Sequence, residues 1–290
     1  MFSNAEELIA LTEKNKCKIS AVVLQRECAA AEKSEADIYK SLKEFVGVMQ
    51  KSSAAAKDRP FKTRGGLISG DTKKLADYAQ NSKTVCGNAL VSAMVRALSC
   101  SEVNASMGKI CAAPTAGSCG IIPAALLTVA EEYGLDEQTL LNGLLTAAGV
   151  GLIIDANASL SGAYGGCQAE CGAASAMAAA AIVEMLGGSA EMSFHAAAIA
   201  IKNVMGLVCD PVAGLVESPC AKRNASGVAN AMLSSDLALA GIKSVIPFDE
   251  VVVAMNKVGR LLPYQLRETS QGGIACTQTA LDIANRIYAK

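Results

Sequence analysis

Among the eleven cysteines of this 290-residue chain, three stand where a thiol can act as a ligand or nucleophile rather than as filler. Cys167 follows a Gly-Gly pair. Cys209 opens and Cys220 closes the stretch CDPVAGLVESPC, and each lies near a proline. Glycine and proline let a loop hold a thiolate in backbone poses that a packed helix or strand does not offer. The spacings, 42 and then 11 residues, match no zinc knuckle and no ferredoxin run. Spacing therefore leaves two readings open: a metal site assembled from separate loops, or cysteines serving as small buried hydrophobes. An odd number of cysteines argues against a complete disulfide framework. The first residues, MFSNAEELIALTEKNK, lack the basic and apolar regions of a secretory signal, so a reducing cytoplasmic setting is expected.

Three further loops carry polar or thiol groups between apolar segments: GKICAAPTAGSCG, SLSGAYGGCQ and RETSQGGIAC. If helices present all four loops at one place, that place is the expected site. The elements that position them read as helices. From Ile110 to Ile201 there is no Lys or Arg and only eight carboxylates, with Ala, Gly, Leu and Ile dominant. GLLTAAGVGLIID and CGAASAMAAAAIVEMLGG are apolar on every side, as helices packed inside other helices are. Asn4, Asp136 and Ser226 are expected to cap helices, Gly187-Gly188 to end one, and another to begin just after Gly120. The one β-branched cluster, in IKSVIPFDEVVVAM, fits a strand or a buried helix. The fold class expected is mostly α, with buried central helices and a site formed by interhelical loops. Residues 1 to 83 hold 26 of the 53 charged side chains. We therefore divide the chain into a charged helical segment over 1–60, packing on the core, and a helical catalytic domain over 61–290.

Composition excludes some functions. A net charge of -1 with 4% aromatics and no Trp offers neither the basic excess nor the stacking platforms of a nucleic-acid binder. Mean hydropathy is +0.32. The longest uncharged run, Ile110 to Ala130, contains Pro114 and Pro123 and reads as a loop followed by a helix rather than a membrane span.

The motifs GGLISGD, GKICAAPTAGSCGIIPAAL, SGAYGGCQAECGAASAMAAAA and GLVCDPVAGLVESPCAKRNA resemble the iron-sulfur L-serine dehydratases, in particular the α chain of the two-chain type, from about Gly65 to the C-terminus. The resemblance implies a [4Fe-4S] cluster on Cys167, Cys209 and Cys220, with one iron free of protein thiolate. It implies elimination of water from L-serine to give pyruvate and ammonia without pyridoxal phosphate, and a separate β subunit as partner. A tail cysteine that fills the open iron in some single-chain relatives is not expected, since the chain ends IYAK. Relatives acting on L-cysteine or L-threonine would use the same cluster, and a non-catalytic or zinc-holding helical scaffold is the alternative from another class.

Around that implied centre, Thr115, Gly117 and Ser118 are candidates to bind the substrate carboxylate at the start of a helix. Lys222 and Arg223 are candidates to place positive charge beside it, with an exposed helix start as the competing reading. Cys171 is expected to face the core, and Cys111 and Cys119 to flank the loop without binding metal. His195, the sole histidine, is expected to be a packed or surface residue. PFKTRGG resembles the lysine motif of pyridoxal-phosphate dehydratases, but the strands and later phosphate loop of that fold are missing from the pattern, and Lys62 is expected to be solvated.

Overall fold

Residues 2–289 are described by a computed structural model, in which thirteen α-helices and no strand occur among the described residues. Helix starts follow local chemistry. α1 (Ala5–Asn15) begins where the Asn4 side chain accepts from the Glu7 N–H, and the carboxylate of Asp249 adds bonds to the N–H groups of Ala5 (2.8 Å) and Glu6 (3.2 Å). α2 (Ile19–Ala31) leads to α3 (Glu35–Ala54), which opens on a reciprocal Ser34–Asp37 capping box. α4 (Asp71–Asn81), α5 (Gly87–Ala105) and α6 (Ile121–Glu132) follow, the last starting just after Gly120 as expected. α7 (Glu137–Asn157) is capped by Asp136, whose side chain accepts from the Thr139 N–H.

The centre of the molecule is built after that. A short α8 (Gly162–Gly165) and a π-helical turn over Gln168–Gly172 feed α9 (Ala173–Met185), in which every residue is buried. α9 ends at the Gly187-Gly188 stop, with Gly187 at φ +84°. α10 (Ala190–Asn203), α11 (Cys220–Leu239), α12 (Phe248–Leu261) and α13 (Gln278–Tyr288) complete the chain. α9 is surrounded by α6, α7, α10 and α11. Its alanines bring these neighbours close, and Ile121, Leu141, Leu145, Ile153, Ile154 and Ile201 fill the space between them. Leu8, Ile19, Val23, Val46 and Met49 from α1 to α3 join the same core.

Two expectations change. Ser226 caps nothing: α11 runs without a break from Cys220 through it, because Ala221 to Ala225 are all compatible with a helix and the helix starts right after Pro219. The VVVAM segment lies inside α12, where Val251, Val252 and Met255 are buried and Val253 is exposed. The single β-type pairing among the described residues is the bridge between Cys209 and Arg267. α7 is long and apolar enough to cross a membrane, yet it packs against α2 and α9, and two-thirds of its apolar window is buried in the protein.

Candidate functional site

The four loops meet. A cavity of about 490 Å³ takes Thr115 and Gly117 from the first, Ser161 and Tyr164 from the second, Cys209 and Cys220 from the third and Glu268 from the fourth. Asp155 from the end of α7 and Glu170 from the π turn complete its polar wall. Cys167 is buried beside that wall rather than in its lining.

Each thiol is held by its own device. Before Cys167, Gly166 has φ +75°, and a Cβ there would lie 2.8 Å from the Leu207 carbonyl, so only glycine fits. Gln168 then clamps the turn: its amide donates to the carbonyls of Gly165 (2.9 Å) and Met255 (3.0 Å) and accepts from the Gly206 N–H (2.9 Å). The widened π turn, a form that recurs at functional sites, brings the Cys167 and Cys171 sulfurs to 3.4 Å. Cys171 is buried as expected, but it faces Cys167 and not apolar side chains alone. Cys209 is fixed through its backbone, donating to the Leu266 carbonyl (2.9 Å) and accepting from the Glu268 N–H (2.7 Å). Cys220 is the first residue of α11.

Buried polar side chains tie the loops to one another. Arg223 reaches back to the Val208 carbonyl (2.8 Å) and to Asp210 (2.8 Å), and Asp210 accepts from the Ile274 N–H (2.9 Å). Asn224 accepts from the Gly120 N–H (2.8 Å) and donates to the Gly117 carbonyl (2.7 Å). Glu217, three residues before Cys220 and 1% exposed, grips the earlier GGLISGD loop. It accepts from Thr63 Oγ1 (2.8 Å), the Gly65 N–H (2.5 Å) and the Leu67 N–H (2.8 Å). Glu102 holds the far end of that loop through the N–H groups of Gly70 (3.2 Å) and Thr72 (2.7 Å).

The electrostatics separate the thiols. The hydrogen bond shared with Cys171, and then the Arg223 guanidinium, bring the pKa of Cys167 below the usual thiol value. Cys171, the other member of that pair, is driven well upward. Burial pushes Cys220 up to about 12 and raises Cys209 strongly, the charges of Cys167 and Glu170 adding to both. Burial also raises Glu170 above the ordinary carboxylate value, against the opposing bond from Thr115 Oγ1 (2.8 Å).

The other candidates fall into place around this geometry. Thr115 and Gly117 line the cavity, whereas Ser118 is wholly buried and meets it only through Thr115 (3.1 Å between hydroxyls). Arg223 stands behind the thiols. Lys222 is turned to the surface in an ion pair with Asp71 and is absent from the lining. Cys111 and Cys119 do not line the cavity either, and Lys62 is exposed. His195 belongs to a different cavity between α1, α10 and α12, where Nδ1 accepts from the Ser244 N–H (3.4 Å). Sequence reasoning missed Glu170, Glu217 and Glu268. The signal for Glu170 was present: a carboxylate inside a long segment without a single basic residue.

The donor set suits soft iron. Three sulfurs from two of the loops, with a fourth beside the first, are the soft donors that an iron-sulfur cluster asks of a protein. Space is kept as well: a Cβ on Gly162 would stand 3.1 Å from the Cys209 sulfur and 2.6 Å from Glu170 Oε2.

Comparison with known proteins identifies the family. Residues 14–275 match the family model described as serine dehydratase alpha chain. The chain is 50% identical to the L-serine dehydratase alpha chain of Peptoniphilus asaccharolyticus, covering 98% of this chain and 97% of that one. It is 47% identical to the probable L-serine dehydratase alpha chain of Bacillus subtilis, covering 99% and 96%. With L-serine dehydratase 1 of Escherichia coli it shares 34% identity over 94% of this chain, which is 61% of that longer protein.

Proposed function

The chain belongs to the serine dehydratase α-chain family, and on that premise we propose that it is the α subunit of a two-chain L-serine dehydratase, releasing pyruvate and ammonia from L-serine. The observation that carries this reading is the convergence of four loops, three of them bearing Cys167, Cys209, Cys220 or Glu268, on one cavity large enough for an amino acid. Cys167, Cys209 and Cys220 would hold a [4Fe-4S] cluster. When bound, the cluster supplies an iron without protein thiolate as a Lewis acid for the departing hydroxyl oxygen of the substrate.

This chain's own residues do the rest of the positioning. Arg223 offsets the negative charge of the thiolates from behind, while its bond to Asp210 fixes the backbone next to Cys209. Thr115 orients Glu170 at the cavity wall, and Gly117 leaves the wall open there, since a Cβ would lie 3.0 Å from Glu170 Oε1. Loss of the α-proton and of the hydroxyl gives an aminoacrylate, whose imine tautomer takes up water to yield pyruvate and ammonia. A separate β subunit belongs to this reading, supported by the alpha-chain names of the relatives and by the longer L-serine dehydratase 1 of Escherichia coli, of which this chain spans 61%. All eleven cysteines are free thiols, which supports a reducing, cytoplasmic setting.

Anaerobic co-production of the chain with its β subunit tests this. The expected product is a brown protein near four irons that makes pyruvate from L-serine and loses both iron and activity on Cys209→Ala. Iron unchanged after removal of Cys167, Cys209 and Cys220 together would overturn the reading.

A further inference from the structure

We infer that Glu170 and Glu268 form the receptor for the α-ammonium group of the substrate, and so select amino acids over the corresponding acids without an amine. The inference rests on the dehydratase reading and adds to it the residues that choose the substrate class.

The charge pattern of the cavity is one-sided. Among the described residues its lining contains three carboxylates, Asp155, Glu170 and Glu268, and no Lys, Arg or His. A carboxylate oxygen of Glu170, another of Glu268 and the Cys209 sulfur all lie within 4.8 Å of one another. Two carboxylates at that separation repel, and a cation placed between them relieves the repulsion. Of the two basic residues that follow Cys220, Arg223 is paired with Asp210 and Lys222 with Asp71. An ammonium ion brought by the substrate meets this need with three donors for the surrounding oxygens.

The geometry of each carboxylate agrees. Glu170 is nine-tenths buried (9% exposed), and Thr115 holds its Oε1 at 2.8 Å. That leaves Oε2, whose one protein donor is the Cys209 thiol at 3.9 Å, a weak partner for a buried carboxylate oxygen. The glycine at 162 keeps the space in front of that oxygen free, since a Cβ there would sit 2.6 Å away. Glu268 approaches from the other side with its backbone at φ +63°, a left-handed conformation that a glutamate adopts at a cost. It is held there by its N–H bond to the Cys209 carbonyl (2.7 Å), so its carboxylate is positioned by the same residue that is offered to iron. Asp155, exposed at the end of α7, gives the mouth of the cavity the same sign.

The test uses the iron-loaded two-subunit enzyme and two unreactive probes that differ only in the amine, L-alanine and propanoate, titrated by ligand-observed NMR. Wild type is expected to bind L-alanine more tightly than propanoate. Glu268→Gln, a change at an exposed side chain, is expected to weaken L-alanine roughly ten- to a hundredfold and to raise the KM for L-serine in parallel, with propanoate unchanged. Glu170→Gln should act in the same direction. If both probes weaken together, or L-alanine is unaffected by either substitution, the receptor assignment is overturned. Turnover is read separately. An enzyme that makes pyruvate but shows no preference for the amine refutes the receptor alone, whereas amine-dependent binding without dehydration at full iron content refutes the dehydratase reading and leaves the receptor standing.

Discussion

Glu217→Gln is the substitution with the most calculable outcome. The carboxylate is buried and accepts three hydrogen bonds from the segment Thr63 to Leu67, one on Oε1 and two on Oε2. A glutamine keeps one oxygen. In its better orientation that oxygen serves Thr63 and Leu67, and the amide NH₂ then confronts the Gly65 N–H, donor against donor. The loss of one charge-assisted bond, with the weakening of the other two and a stranded N–H, amounts to about 3 kcal/mol. That energy falls on the docking of the loop and not on the helical core. The loop exposes Lys62 and Arg64, but a protease must first peel the backbone away, because the Phe61 N–H is tied to Glu102 and the Arg64 N–H to the Ala105 carbonyl. Where opening precedes cleavage, the rate follows the open population, so tryptic cutting at these residues should rise roughly a hundredfold at 3 kcal/mol. The helical circular-dichroism signal should stay within a few per cent. Cleavage within twofold of wild type in a folded protein would show that Glu217 does not hold this loop.

Other substitutions divide the site from its frame. Gly162→Ala should lower iron content and raise the KM for L-serine while leaving the melting temperature within a few degrees, since the added methyl meets Glu170 and Cys209 and no core residue. Gly227→Ala should do the reverse, costing about 1–3 kcal/mol in chemical denaturation, because its methyl would strike Ile121 across the contact of α11 with α6. Lys222→Ala should leave the KM unchanged in a steady-state assay and move stability by less than about 0.5 kcal/mol, as expected for an exposed ion pair. The metal-free chain should lose stability as pH rises from about 9 toward 12. Cys100 and Cys220 are both raised from 9.0 to about 12 by burial, so their protonated forms favour the fold below 9, and that contribution disappears as the pH passes through the folded values. Urea midpoints at pH 8 and pH 10.5 check the sign, and Cys100→Ala should flatten the slope.

What could be read from the sequence follows the range of the interactions. Asn4, Asp136 and the Gly187-Gly188 stop are decided within four residues, and all act as expected. Ser226 misled because a good cap residue in a helix-compatible stretch carries no sign that the helix has already begun at Cys220. The four loops were identifiable from glycine, proline and thiol content, and the apolar helices between them implied a shared meeting place. The carboxylates that organise the site were not. Glu102, Glu217 and Asp249 bind backbone N–H groups between 30 and 244 positions away, and nothing in their neighbours announces such a partner. Lys222 and Arg223 show the limit at its sharpest: adjacent, equally charged, and turned to opposite purposes by the helix that begins two residues earlier.

The grip of Glu217 on residues 63–67 also bears on the order in which the molecule is completed during synthesis. The N–H groups of Gly65 and Leu67 wait for a partner that leaves the ribosome about 150 residues later, and α1 waits still longer for Asp249. Glu217 emerges just ahead of Cys220, so the first loop closes as the last thiol arrives. If Cys167, Cys209 and Cys220 hold a cluster as proposed, iron delivered earlier would meet a nascent chain that lacks the third of these ligands. The sequence thereby makes closure of the frame and completion of the sulfur set nearly one event.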